Sequence, residues 1–434
     1  MPYPYVLNMH LRREIGLLGA TFYGVGLILG AGVYALIGEA AGLAGNALWL
    51  SFLLGAFISS FTGLSYIELS SMFPMEAAEY VYFKKATGRE SLAFLIGWVE
   101  IFAEIVAAAT VALGFAGYFR SIFDLPTPFI AILLILFLSV LNFCGIEESS
   151  RFNILFTLVE VSGLILIVAL GVFFGDILTT NYLETPSIAG VFGCAALTLF
   201  AYLGFEDVVH ISEEIKHPIR NVPRALILSL IISTIIYALV SVSVVGLVNW
   251  RELGASEAPL AFATSKVLGK DASTVLTFIA LFATANTVLI LLLVSSKIMY
   301  GMAVDGSLPK VLAKINKKTG TPSFSIIAVM VLSVLFAFLG DIKVVANVTN
   351  FVTFIVFSSV NISCILLRHA KPELERPLRT PLNIGKYSLI PFIGLFSCGF
   401  LITQLDQPSI LLGILILITG GVAYRFLKRK NRLP

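Results

Sequence analysis

Residues 24–32 read GVGLILGAG and lie inside an apolar run from Ile15 to Ile37. A helix that crosses a bilayer needs about 20 apolar residues, and this run has that length. It also carries Gly24, Gly26, Gly30 and Gly32. Each glycine costs a helix interior roughly 1 kcal/mol relative to alanine. The cluster at Gly30, Ala31 and Gly32 therefore marks a place where the helix is expected to open. Open backbone at membrane depth survives only inside protein or along a cavity, where its amides and carbonyls can hold a ligand. The alternative is that the glycines let two helices approach closely.

Composition sets the class. The chain has 434 residues, of which 58% are hydrophobic and 13% charged, with mean hydropathy +0.95. Soluble domains carry roughly 25% charged residues. The apolar runs are far too long for barrel strands, so the chain reads as an all-α integral membrane protein. Cys144, Cys194, Cys364 and Cys398 lack metal-ligand spacing and read as small hydrophobes. The first run is too long for a cleavable signal, and none is expected. No G-x-x-x-x-G-K-[ST] occurs, which excludes a P-loop pump. Four dispersed histidines make a membrane enzyme a poor reading, and nothing resembles the selectivity filter of a channel. Nothing in the sequence calls for a nucleic-acid partner.

About 12 apolar spans follow one another, the first at 15–38, the sixth at 188–212 and the last at 408–427. Loops are short. Arg12, Arg13, Lys84, Lys85, Arg89, Lys310, Lys314, Lys317, Lys318, Arg368 and Lys428 fall on one side of this topology, with Arg220 and Arg224. Few cations, such as Arg120, Arg251 and Lys343, fall on the other. By the positive-inside rule both termini are expected in the cytoplasm. The sixth span repeats the peculiarity of the first: LTLFAYLGFEDVVH places Gly204 mid-span, before Glu206 and Asp207. Two interrupted spans entering from opposite sides predict an inverted repeat with a binding site at the midplane.

Several stretches then point to a family. GLILGAGVY opens the first span; LSYIELSSMFP and EYVYFKKATGRESLAFLIGW follow the second. LFAYLGFED leads into EEIKHPIRNVPRAL, and KIMYGMAVDGSLPK follows the eighth span. Together, over roughly residues 12–320, they resemble the amino acid–polyamine–organocation permeases. The resemblance implies the LeuT-type fold, with about ten core helices in two inverted five-helix repeats plus two C-terminal helices. It divides the chain into a first repeat at 1–175 with its broken helix at 15–38, a second at 176–370 with its broken helix at 188–212, and two extra helices at 371–434. It implies secondary transport of an amino acid by alternating access in the cell membrane, with proton-coupled symport as the first expectation. An amine or polyamine carrier, an exchanger, and, from another class, an uncoupled channel or receptor are the alternatives.

The site residues follow from both readings. The free N–H groups at Gly30, Ala31 and Gly32 suit a substrate carboxylate. By resemblance, the carbonyls of Ile28, Phe200 and Leu203 receive the ammonium, and Phe200 and Tyr202 cover the ligand. Charges within the membrane are costly and default to functional hypotheses. Glu206 follows the helix-six break and is a candidate for gating, or for a carboxylate hydrogen-bonded to the backbone of the unwound turn, the two being compatible. Glu160 stands where some proton-coupled family members have a lysine; a buried carboxylate there would carry a proton, hold sodium with Asn286 and Thr287, or make a purely structural hydrogen bond. No cofactor is expected, and the coupling ion is H+, with Na+ the alternative. Glu100 and Glu104 share a helix face, and Glu104 is a candidate for a cationic substrate group. Glu68 is expected to pair with cytoplasmic cations, with Lys297 as one candidate. Arg220 and Arg224 are candidates for latching the inner gate. His210 and His217 lie near this interface with no partners that suggest a metal, and no metal site is expected. Monomer and homodimer stay open.

Overall fold

The computed structural model describes residues 15–75, 77–120, 122–144, 147–256, 258–316, 319–339 and 341–430. Arg12, Arg13, Lys317 and Lys318, named above, lie outside the described residues. The helices are α1 Leu17–Ala44, α2 Leu48–Met72, α3 Ala78–Thr87, α4 Glu90–Arg120, α5 Thr127–Cys144, α6 Glu147–Phe174 and α7 Ile188–Tyr202. A 3-10 segment, Glu206–Glu214, follows α7. Then come α8 Pro218–Leu247, α9 Trp250–Gly254, α10 Pro259–Leu268, α11 Lys270–Val304, α12 Ser323–Ala337, α13 Ile342–Ala370, α14 Leu389–Ile402 and α15 Gln407–Lys430. A two-residue hairpin pairs β1 Asn383–Ile384 with β2 Tyr387–Ser388.

Among the described residues, nine stretches are long and apolar enough to cross a membrane, and three shorter apolar helices, Thr127–Phe143, Ser323–Ala337 and Leu389–Ile402, accompany them. Lipid-side faces are apolar: Phe57, Phe137, Ile165, Phe173, Phe396 and Leu411 are all exposed. Local chemistry sets the ends. Ser187 caps α7 by accepting from the Gly190 amide at 2.9 Å. Asp341 caps α13 from its side chain, and Ser388 does so for α14. Pro218 opens α8 in the first turn, where its missing N–H costs nothing.

α1 runs down the centre, packed against α6, α7, α8 and α11. Among the described residues of that helix, Leu27, Ile28, Leu29, Val33, Tyr34 and Ile37 are at most 1% exposed. α4 lies against α11 and α13, while α14 and α15 pack at the periphery against α2, α4 and α13.

One expectation is corrected. α1 is helical from Leu17 to Ala44 without interruption, so the opening expected at Gly30–Gly32 is not present in this structure. The reason is contact. A Cβ at Gly32 would lie 2.2 Å from Ala201 Cβ, and one at Gly30 would lie 2.1 Å from Thr287 Oγ1. These glycines let α7 and α11 press against α1, the alternative the sequence left open.

Candidate functional site

The sixth span is interrupted. α7 stops at Tyr202, Leu203 turns to φ −59°, ψ 144°, and Gly204 takes φ +103°. That φ is open to glycine at little cost and strained for other residues. Gly204 also lies hard against α1, where an added Cβ would be 2.7 Å from Leu27 Cβ. The Leu203 amide donates to the Phe200 carbonyl at 3.2 Å, and the Gly204 amide donates to Glu206 Oε2 at 3.1 Å. Glu206 therefore ties off the backbone freed by the break. The chain then tightens into the 3-10 segment.

Buried tyrosines tie together the helices around this break, and Tyr237 joins the break to α1. The Tyr237 hydroxyl of α8 donates to the Ile28 carbonyl and lies 2.8 Å from the Ala201 carbonyl. Tyr34 donates to the Glu160 backbone carbonyl at 2.8 Å, and Tyr118 donates to the Tyr34 carbonyl at 2.9 Å. Tyr202 donates to the Phe52 carbonyl at 3.0 Å and meets Tyr237 edge-on, so its ring is committed to α2 and α8. Phe200 is 2% exposed, Tyr202 is fully buried, and Leu203 is half-buried.

The expected residues thus come together in part. Ile28 and Gly32 of α1 face the Phe200–Leu203 end of α7 through Ala201 and Tyr237, whereas Gly30 faces Thr287 and Ala283 of α11 and Glu160 of α6. The side chain of Ala31 lies outside the described residues. In an intact helix the amides of residues 30–32 bond to the preceding turn. The carboxylate cradle expected there is not formed in this conformation.

Glu160 is fully buried on α6, and neither carboxylate oxygen has a hydrogen bond among the described residues. Its Oε1 would be 3.2 Å from a Cβ at Gly30, on the side where Thr287 Oγ1 also approaches. Thr287 is 1% and Asn286 3% exposed on α11. The structure therefore brings Glu160, Gly30 and Thr287 to one point, as the sequence suggested for Glu160 and helix eight.

A second polar centre lies beyond the break. Glu79 opens α3, Glu100 and Glu104 project from α4, and Asp207 and His210 stand on the 3-10 segment. Their exposures are 0%, 4%, 8%, 1% and 1%. His210 Nε2 lies 3.5 Å from Glu79 Oε2, 3.4 Å from Glu100 Oε1 and 3.8 Å from Asp207 Oδ1. Glu104 is within electrostatic reach of Asp207, Glu206, Glu100 and Glu79. Burial, then the Glu100 charge, pushes the Glu79 carboxyl well above its usual range, with His210 pulling the other way. The sequence reading left Glu79 out and gave His210 no partners. Glu79 and Glu100 lie on separate helices and His210 more than a hundred residues further on, so no local spacing carried the signal.

The end of the bundle where α1 begins is held by ion pairs. Glu68 accepts from Arg368 Nε at 2.8 Å and from the Thr380 amide at 2.8 Å, with Arg376 Nε 3.4 Å away. Glu68 thus meets Arg368 of α13 and Arg376 of the segment after it. Lys84 of α3 meets Asp305 at 2.7 Å after α11. Desolvation opposes the Lys84 charge, and the Asp305 and Tyr80 contacts outweigh it, holding its pKa above the usual range. Ile15 bridges Ile215, and the Lys216 amide donates to the Ile15 carbonyl at 2.8 Å. Arg220, Arg224 and Glu375 line a cavity of about 930 Å3 at this end. Cys194, Cys364 and Cys398 are buried free thiols, as expected of small hydrophobes.

Sequence comparison places this geometry in context. A family model described as amino acid permease matches residues 15–419. The chain is 28% identical to the branched-chain amino acid permease BcaP of Bacillus subtilis, over 97% of this chain and 94% of the relative. It is equally, at 28%, similar to the methylthioribose transporter of the same organism, over 98% and 95%. It is 31% identical to the mitochondrial cationic amino acid transporter 3 of Arabidopsis thaliana, over 83% of this chain and 63% of that longer relative. These relatives are named permeases and transporters rather than enzymes. The chain belongs to the amino acid permease family of multi-pass membrane transporters.

Proposed function

We propose that the protein is a secondary active transporter that moves an amino acid across the cell membrane by alternating access, coupled to protons through Glu160. The observation that carries the reading is the interruption of α7 at Leu203–Gly204, pressed against Leu27 of a glycine-rich α1 and joined to Ile28 through Tyr237. A break at membrane depth has few uses other than holding a solute or ion. The Phe200 and Leu203 carbonyls are the ammonium acceptors in this reading. The carboxylate end requires α1 to open at Gly30–Gly32, where glycine keeps the cost of opening low.

The packing pattern supports the inverted repeat. Matching α1, α2, α4, α5 and α6 to α7, α8, α11, α12 and α13 pairs the observed contacts: α1 on α8 with α7 on α2, and α1 on α6 with α7 on α13. The contacts of α4 on α5 and of α4 on α13 likewise match α11 on α12 and α11 on α6. In this reading 1–175 and 176–370 are the repeats, α14 and α15 are additions, and both termini are cytoplasmic. The ion-paired end is then the inner one, and the conformation is closed to the cytoplasm.

Glu160 is the proton carrier because a fully buried carboxylate without a hydrogen bond is costly to keep charged. Glu104, buried beside the acidic centre with an Oε2 that has no hydrogen bond among the described residues, favours a second reading in which the substrate carries a cationic group. The test is uptake by purified protein in liposomes, with labelled branched-chain, cationic and other amino acids and amines, under separate pH and sodium gradients. Accumulation driven by the pH gradient, and its loss in Glu160→Gln, is the expected result. No accumulation under either gradient would remove the proposal, and unchanged pH-driven uptake in Glu160→Gln would remove Glu160 as coupler.

A further inference from the structure

Glu79, Glu100 and His210 come from three different elements and meet in the interior, each at most 4% exposed. One ligand atom from each lies within 4.8 Å of the others. The separations from His210 Nε2 to the two glutamates are 3.4 and 3.5 Å. Zinc binds imidazole nitrogen and carboxylate oxygen at about 2.0–2.2 Å, and a tetrahedron with such bonds has edges of about 3.4 Å. The two edges from His210 therefore already have the length of a tetrahedral site's edges. Asp207 Oδ1 lies 3.8 Å from His210 Nε2, beside this group of three donors.

The hydrogen bonding points the same way. Among the described residues, no hydrogen bond of ordinary geometry reaches either nitrogen of His210 or either carboxylate oxygen of Asp207. Buried polar groups are almost always satisfied, and buried charges are paired or bound to metal. Imidazole with carboxylates suits zinc better than it suits calcium or magnesium.

We propose that Glu79, Glu100 and His210, with Asp207 beside them, form a binding site for a divalent transition-metal ion such as Zn2+. An ion there ties α3 and α4 to the 3-10 segment directly after the break. It does not include Glu160 or Glu206, and metal binding is read without any transport assay.

The test uses untagged full-length protein, stripped of metal and purified in detergent, and titrates Zn2+ alone by calorimetry near neutral pH. The expected result is a single tight site per chain, lost by at least about tenfold in His210→Gln and in Glu100→Gln, since even outer-shell changes weaken metal sites about 10–100-fold. His369→Gln, far along the chain on an exposed helix end, keeps it. Should the variants fail to fold, wild-type protein with Co2+ decides: a tetrahedral visible absorption supports the site. No Zn2+ binding, binding that His210→Gln and Glu100→Gln retain, or Co2+ without tetrahedral absorption would overturn the proposal.

Discussion

Gly32→Ala tests whether close packing, and not an open backbone, is what the α1 glycines provide in the resting conformation. The added Cβ would lie 2.3 Å from Ala201 Cα and 2.2 Å from Ala201 Cβ. Ordinary contact begins near 3.4 Å, so α1 and α7 must part by about 1 Å at this level. The obstacle is backbone, which cannot rotate away. Overpacking of this kind costs about 1–3 kcal/mol. Alanine for glycine in a helix interior returns up to about 1 kcal/mol. The net effect is destabilising, by about 1–2 kcal/mol. Gly193→Ala is the control: it sits in the interior of α7 with nothing within 4 Å of the added atom, so only the propensity gain remains. Thermal unfolding in detergent, read with a thiol-reactive dye on the buried cysteines, should move down for Gly32→Ala and up for Gly193→Ala. Because uptake passes through the α1–α7 contact, Gly32→Ala should also slow it. A Gly32→Ala protein that melts at or above the wild-type temperature would refute the reasoning, since it would mean that α1 is not pressed on α7.

Other changes read other parts of the structure. Gly204→Ala places a side chain at φ +103° and 2.7 Å from Leu27, and should cost about 1–3 kcal/mol in thermal stability with uptake strongly reduced. Wild-type behaviour there would mean that the break is not held in this shape. Glu68→Ala leaves two buried guanidinium groups without their partner and should cost about 3–5 kcal/mol, whereas the paired replacement Glu68→Leu with Arg368→Met should cost less. Equal losses in both would show that the charges do not act as a pair. Tyr237→Phe removes the donor between the Ile28 and Ala201 carbonyls and should cost about 1 kcal/mol, with uptake reduced. Asp406 is half-buried; burial pushes its pKa up, but donation from Asn347 and Ser409 outweighs this and holds it below the usual value. Its folded pKa is thus below the unfolded one. Its contribution is present above the unfolded pKa of about 3.9 and is lost as pH falls through the folded value. Asp406→Asn should therefore flatten the acid side of a stability profile, and an unchanged profile would count against the Asn347 contact.

The sequence by itself determined the class and the family. Long apolar runs with sparse charge leave only membrane helices, because unpaired backbone is too costly in lipid. The phrases around residues 26–34, 199–226 and 297–310 were specific enough jointly to point to the permeases. Gly204 within LGFED marked the break in the sixth span, since a mid-span glycine beside two acids has few other uses. What the chain could not reveal was decided by packing. Gly30 and Gly32 look alike whether a helix opens or a neighbour presses against it, and only the positions of Ala201 and Thr287 choose between them. Glu68 has many cations within reach in sequence terms, but the meeting of α2 with the end of α13 selects Arg368. His210 offers no local pattern at all: its partners Glu79 and Glu100 arrive from α3 and α4. Periodicity and motifs report what each segment is; which faces touch is a property of all the helices packed at once.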